Sequence, residues 1–118
     1  MQFRVCFSKS FKRSLRQLRK RYPQIQSDIE SAIEALFLHP SLGVLIPHTP
    51  SVRKLRVPSS DMERGKRGGF RLLYLLDIEK NCITLLFVYA KPICENLNQK
   101  EIESLVKEVL EEEQEKMG

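Results

Sequence analysis

The sequence predicts an α+β fold, a single domain running strand, helix, helix, three strands, helix, with an antiparallel-rich sheet and the helices packed on one of its faces. Three observations predict it. Short runs alternate polar and apolar residues, three other stretches carry apolar residues at helical spacing, and no repeat or linker divides the 118 residues. A chain of that length buries roughly two-thirds of its surface around one core.

The elements follow in order. In "QFRVCF" the residues Phe3, Val5 and Phe7 alternate with polar neighbours, the pattern of a half-buried strand. Ser8 is an N-cap candidate for a helix whose apolar stripe is Phe11, Leu15, Leu18 and Tyr22. The remainder of that helix is basic: Lys9, Lys12, Arg13, Arg16, Arg19 and Lys20.

Pro23 breaks the pattern and is suited to the first turn of a second helix with the stripe Ile25, Ile29, Ala32, Ile33, Leu36 and Phe37. The two helices are expected to pack as an antiparallel hairpin. "HPSLGVLIPHTPS", residues 39 to 51, has three prolines and a glycine and keeps no period, so it reads as a loop.

Strands are expected at Val52 to Val57, Phe70 to Asp77 and Cys82 to Tyr89, the last two joined by the polar turn "DIEKN" to give an antiparallel meander. Asn98 and Glu101 form a capping-box pair with Leu97 and Ile102 as a hydrophobic staple, opening a third helix. Its stripe is Ile102, Leu105, Val106, Val109 and Leu110, and the acidic residues 111–118 beyond it are expected to fray.

With 42% hydrophobic and 30% charged residues the chain reads as folded rather than disordered. No apolar run reaches the roughly 20 residues of a bilayer span, and "MQFRVCFSKSFKR" lacks the apolar stretch of a secretory signal. The expected location is the cytoplasm, with no membrane partner. Cys6, Cys82 and Cys94 have no CxxC spacing and are odd in number, so they read as reduced packing residues. His39 and His48 lie in the proline-rich loop with no Cys, Asp or Glu at ligand spacing, and neither a metal nor another cofactor is expected.

Charge is unevenly spread. Residues 1 to 74 hold 15 Lys and Arg against 5 Asp and Glu, whereas residues 75 to 118 hold 5 against 10. A basic body of this kind suits a polyanion such as nucleic acid, because clustered cations release condensed counterions. A solvated surface is the plainer reading.

In "VRKLRV" alternation sets Leu55 and Val57 on one face and Lys54 and Arg56 on the other. The paired cations suit either a phosphate chain or the protection of a sheet edge from aggregation. Arg71 lies inside "FRLLYLL", where Leu73 and Leu75 share its face. Two partners fit it: an internal acid such as Asp77 or Glu95, or an external phosphate gripped by the guanidinium fork. The "RGKRGG" stretch, with Lys66 and Arg67, lacks the spacing of a phosphate-binding P-loop and opens into a strand.

Taken together, "VRKLRVPSS…GKRGGFRLLYLL…ITLLFVYAK…ENLNQKEI" resembles the RelE/HigB-type toxins of prokaryotic toxin–antitoxin pairs over nearly the whole chain. The resemblance implies a ribosome-dependent endoribonuclease, an mRNA interferase that cuts mRNA and is held inactive by a cognate antitoxin. It places the family's paired cations on Lys54 and Arg56, its strand arginine on Arg71, and the basic residue after its last sheet strand on Lys91, although Pro92 follows here instead of a further cation. The family's C-terminal tyrosine has no counterpart after Tyr89, which becomes the substitute.

Such a site would cut RNA without a metal, through attack by the 2′-hydroxyl on the adjacent phosphorus. Arg56 and Arg71 would bind the phosphate, Lys54 would be the general base, and Lys91 or Tyr89 would assist the leaving oxygen. Lys9, Lys12, Arg13, Arg16, Arg19 and Lys20, with Lys66 and Arg67, would grip ribosomal RNA. Two other readings compete: a ParE-like inhibitor of DNA gyrase, and a non-catalytic RNA-binding or regulatory module.

Overall fold

Why one face of this sheet gathers cations begins with how its strands are paired. The computed structural model describes residues 3–62, 68–91 and 96–117. Its elements are β1 (Arg4–Phe7), α1 (Lys9–Arg19), α2 (Ile25–Leu38), β2 (Val44–Leu45), β3 (Val52–Val57), β4 (Phe70–Asp77), β5 (Cys82–Ala90) and α3 (Gln99–Met117). The strands form one sheet in the order β1-β5-β4-β3-β2, with β1 parallel to β5 and the other neighbours antiparallel. The α+β class and the strand–helix–helix–strands–helix order match the expectation, with β2 added.

β2 lies inside the stretch read as a loop. Two residues are too few to show a period; they become a strand because Val44 and Leu45 pair with Lys54 and Arg53. The approach to β2 is fixed by Tyr74, whose hydroxyl donates to the Pro40 carbonyl (2.7 Å) and accepts the Gly43 N–H (2.9 Å). Burial holds the Tyr74 phenol above its usual pKa, so it remains a donor. Tyr74→Phe strands the buried Gly43 N–H and is expected to cost about 1–3 kcal/mol, read from the urea midpoint at constant m-value.

Helices cover both faces, which corrects the expected one-sided layer. Phe11 of α1 and Ile25, Ile29 and Leu36 of α2 pack on Leu55, Val57, Phe70, Leu72, Tyr74, Ile83 and Leu85. On the opposite face Ile102, Val106 and Val109 of α3 pack on Val52, Leu73, Leu86 and Tyr89. The physical reason is the unbroken apolar run of β4: a strand apolar on both sides needs cover on both.

Local signals hold at the helix starts. Ser8 caps α1 by accepting the Phe11 N–H at 3.0 Å. Asn98 and Glu101 exchange side-chain and backbone bonds of 2.8 and 2.9 Å at the start of α3. Pro23 sits just ahead of α2, not within its first turn. Phe37 and Leu110, expected in buried stripes, are 48% and 51% exposed, so both stripes are narrower than their spacing implied. α3 also runs on through the acidic stretch to Met117 where fraying was expected; Glu and Lys are good helix formers, and Lys107 pairs with Glu111 one turn on.

β5 contains the irregularity that matters most. Leu73 pairs with Phe87 but Tyr74 pairs with Leu85, leaving Leu86 as an extra residue. Unbroken alternation from Ile83 and Leu85 would aim Tyr89 at α1 and α2. After the bulge Val88 and Ala90 face those helices instead, and Tyr89 faces the opposite side. Two buried serines of the α1 region satisfy the disturbed backbone: Ser8 Oγ donates to the Leu86 carbonyl (3.1 Å), and Ser14 Oγ accepts the Val88 N–H (3.1 Å).

Candidate nucleic-acid interface

On β3 the period of two sends Leu55 and Val57 into the α1/α2 core, so Lys54 and Arg56 stand on the α3 side of the sheet. On β4 the same alternation buries Phe70, Leu72 and Tyr74 beneath α1 and α2 and turns Arg71 to the α3 side. Cross-strand register then sets Arg56 opposite Arg71, and Arg71 opposite Tyr89. The three side chains form a row across three neighbouring strands, with Lys54 one step along β3.

Arg71 is only 7% exposed, yet its guanidinium bonds run to backbone: Nη1 donates to the carbonyls of Gly68 and Phe70, each at 3.2 Å. No carboxylate of the described residues pairs with it. Asp77 lies six residues further along β4, roughly 20 Å away at strand rise, and caps the hairpin turn by accepting the Lys80 N–H. Glu95, the other acid weighed for this role, lies outside the described residues. Burial first, and Arg56 second, hold the Arg71 pKa below its ordinary value, while Tyr89 acts the other way.

Lys54 Nζ donates to Asn96 Oδ1 at 3.1 Å. Its pKa is lowered by burial and by the charges of Lys91 and Arg71. Lys91 follows β5 directly, and its N–H donates to the Gly69 carbonyl at 3.0 Å. Gly69 has φ of +80°, and a Cβ there would come within 2.7 Å of the Val57 carbonyl oxygen, so this junction of β3, β4 and Lys91 requires glycine.

Of the sequence-predicted residues, Lys54, Arg56, Arg71, Tyr89 and Lys91 therefore gather at one end of the sheet. Lys9, Lys12, Arg13, Arg16, Arg19 and Lys20 are all exposed on α1, which covers the opposite face. These described cations thus lie on two separate surfaces. Lys66 and Arg67 lie outside the described residues. Sequence reasoning missed Asn96, which shows no pattern of its own and meets Lys54 only through the path of the chain into α3. It also missed Ser8 and Ser14 as supports of the bulge that aims Tyr89.

Among the described residues no three His, Cys, Asp or Glu side chains are grouped to hold a metal ion, and no helix is long and apolar enough to cross a membrane. The arrangement can bind a phosphate through planar and point cations.

No protein-family model matches the chain. Solved structures do. A double mutant of the Escherichia coli toxin RelE in the free state superposes with TM-score 0.55 at 18% identity, covering 95% of this chain and 98% of that one. The intact E. coli RelBE toxin–antitoxin complex matches with TM-score 0.52 at 19% identity, over 75% of this chain and 94% of that one. The RelBE2 toxin–antitoxin complex of Mycobacterium tuberculosis matches with TM-score 0.52 at 22% identity, over 76% and 99%. The fold of this chain is that of the RelE toxins.

Proposed function

We propose that the chain is the toxin of a type II toxin–antitoxin pair, acting as a ribosome-dependent mRNA endoribonuclease. The observation that carries this reading is the row Arg56, Arg71 and Tyr89 across three strands, with Lys54 beside it and Lys91 within electrostatic reach.

The chemistry uses the RNA's own nucleophile. Lys54, in its neutral form, takes the proton of a 2′-hydroxyl. That oxygen bonds to the adjacent phosphorus as the bond from phosphorus to the 5′-oxygen breaks. Arg56 and Arg71 hold the phosphate oxygens as negative charge builds on them. Tyr89 or Lys91 returns a proton to the leaving 5′-oxygen, so the products are a 2′,3′-cyclic phosphate and a 5′-hydroxyl. All of these groups belong to the protein or the RNA, and the reading invokes no metal.

The α1 cations grip ribosomal RNA by its backbone on the far side of the sheet, which needs no base readout. Lys12→Glu with Arg16→Glu is expected to weaken ribosome association roughly tenfold at low salt and to flatten the plot of log affinity against log salt. Co-sedimentation over a salt series reads both. A cognate antitoxin fits the same reading as an acidic amphipathic segment that neutralises the cationic row and displaces α3.

The test is induced expression in a bacterial host with mapping of mRNA 5′ ends. Growth arrest with new ends in phase with translating ribosomes is the expected result. Arrest with intact mRNA and inhibited gyrase would replace this reading with a ParE-like one, and no arrest would leave a non-catalytic module.

A further inference from the structure

Beside the cationic row lies a cavity of about 350 Å³. Its floor is Leu73, its walls are Val44 to Pro47 on one side and Leu97 and Ile102 on the other, and Lys54, Tyr89 and Asn96 bring polar atoms to it. This is the composition of a small-ligand site: mostly apolar, with a few convergent polar groups. Val44 pairs with Lys54 and so stands on the same sheet face, 73% exposed at the cavity rim.

We propose that this cavity receives one nucleobase of the bound RNA, immediately next to the phosphate held by Arg56 and Arg71, and that Asn96 reads its edge. The proposal deepens the nuclease reading and rests on it.

Position supports this. Leu73 is two residues from Arg71 along β4, a step of roughly 7 Å, comparable with the reach from a phosphate to the base of the same nucleotide. Chemistry supports it too. Val44, 73% exposed, offers apolar surface to a base face, while Leu73 and Tyr89, buried in the α3-side core, close the cavity behind it. The Asn96 amide carries both a donor and an acceptor, the pairing that matches a base edge. The bond from Lys54 to Asn96 ties the cavity to the cationic row, so a base seated against Asn96 bears directly on the amine proposed to activate the 2′-hydroxyl. The far wall exists because β2 pairs with β3 and because Tyr74 secures residues 40 to 43, features with no other role in the cleavage chemistry.

The test is ribosome-free. The isotope-labelled full chain is titrated with the four 3′-nucleoside monophosphates, with ribose 5-phosphate and with inorganic phosphate, and amide shifts are followed by NMR. At least one nucleotide is expected to bind about tenfold or more tightly than ribose 5-phosphate, shifting Val44, Leu73 and Asn96 as well as Arg71. Val44→Ser, at an exposed position that leaves the fold intact, and Asn96→Ala should remove most of that advantage and spare phosphate binding. Arg71→Ala should weaken every phosphate-bearing probe. Equal binding of nucleotides and ribose 5-phosphate, with shifts confined to the cationic row, would overturn the base site and leave the phosphate reading standing. Binding of none of the probes would overturn the phosphate reading and the base site together.

Discussion

Arg71→Ala is expected to lower the rate of cleavage of ribosome-bound mRNA by about 10²- to 10³-fold, the usual effect of removing one preorganised donor from a developing oxyanion. The protein should stay folded. Arg71 stands directly across from Arg56, and like charges so placed repel, so neutralising one relieves a strain in the native sheet. The thermal midpoint should hold or rise as activity falls, the mark of a residue kept for function at some cost in stability. Arg71→Lys keeps the charge and loses the planar fork, so it should recover only part of the rate. Single-turnover cleavage and thermal melts on the same three proteins check all of this. A fall in midpoint matching the loss of activity would instead make Arg71 a structural residue.

Lys54→Met is expected to cost about 10²- to 10⁴-fold in rate, the range for a lost general base. The pH profile carries the finer prediction. Burial, Lys91 and Arg71 lower the Lys54 pKa from 10.5, so the rate should rise with pH and level off below that ordinary lysine value. Lys91→Met removes one like charge and should move the rising limb to higher pH. Stability follows with the opposite sign to a typical ion pair. A lysine whose folded pKa lies below its unfolded value binds its proton better in the unfolded chain, which destabilises the fold at pH below the folded pKa. That deficit disappears as pH rises from the folded pKa toward 10.5. At neutral pH Lys54→Met should therefore be at least as stable as the parent, measured by urea unfolding.

Much of the site was legible because strands alternate. Once β3 and β4 were recognised, the period of two sent Lys54, Arg56 and Arg71 to one face without reference to anything distant. Tyr89 was different. Its face depends on the bulge at Leu86, and the bulge depends on Ser8 and Ser14, some 75 residues earlier in the chain, so no local pattern in "CITLLFVYA" could show it.

The two-sided layer has its cause in β4. "FRLLYLL" is apolar on both faces, a demand for cover on both sides, and α3 supplies the second cover. The short β2 and the cavity it walls arise only from pairing with β3, which two residues cannot announce. Arg71 could not be assigned from sequence between an internal acid and an external anion. The length of β4 removes Asp77 from contention, and among the described residues the guanidinium's bonds are to carbonyl groups.

The activity proposed for this cationic row is cleavage of mRNA on the ribosome. The most direct measurement is incubation of the purified chain with an mRNA, free or positioned on ribosomes, followed by identification of the cut ends. Cuts are expected only in the ribosome-bound RNA, with a 2′,3′-cyclic phosphate and a 5′-hydroxyl at each, and are expected to be lost in Arg71→Ala. Intact mRNA with the wild-type chain, or equal cutting by Arg71→Ala, would contradict that proposal.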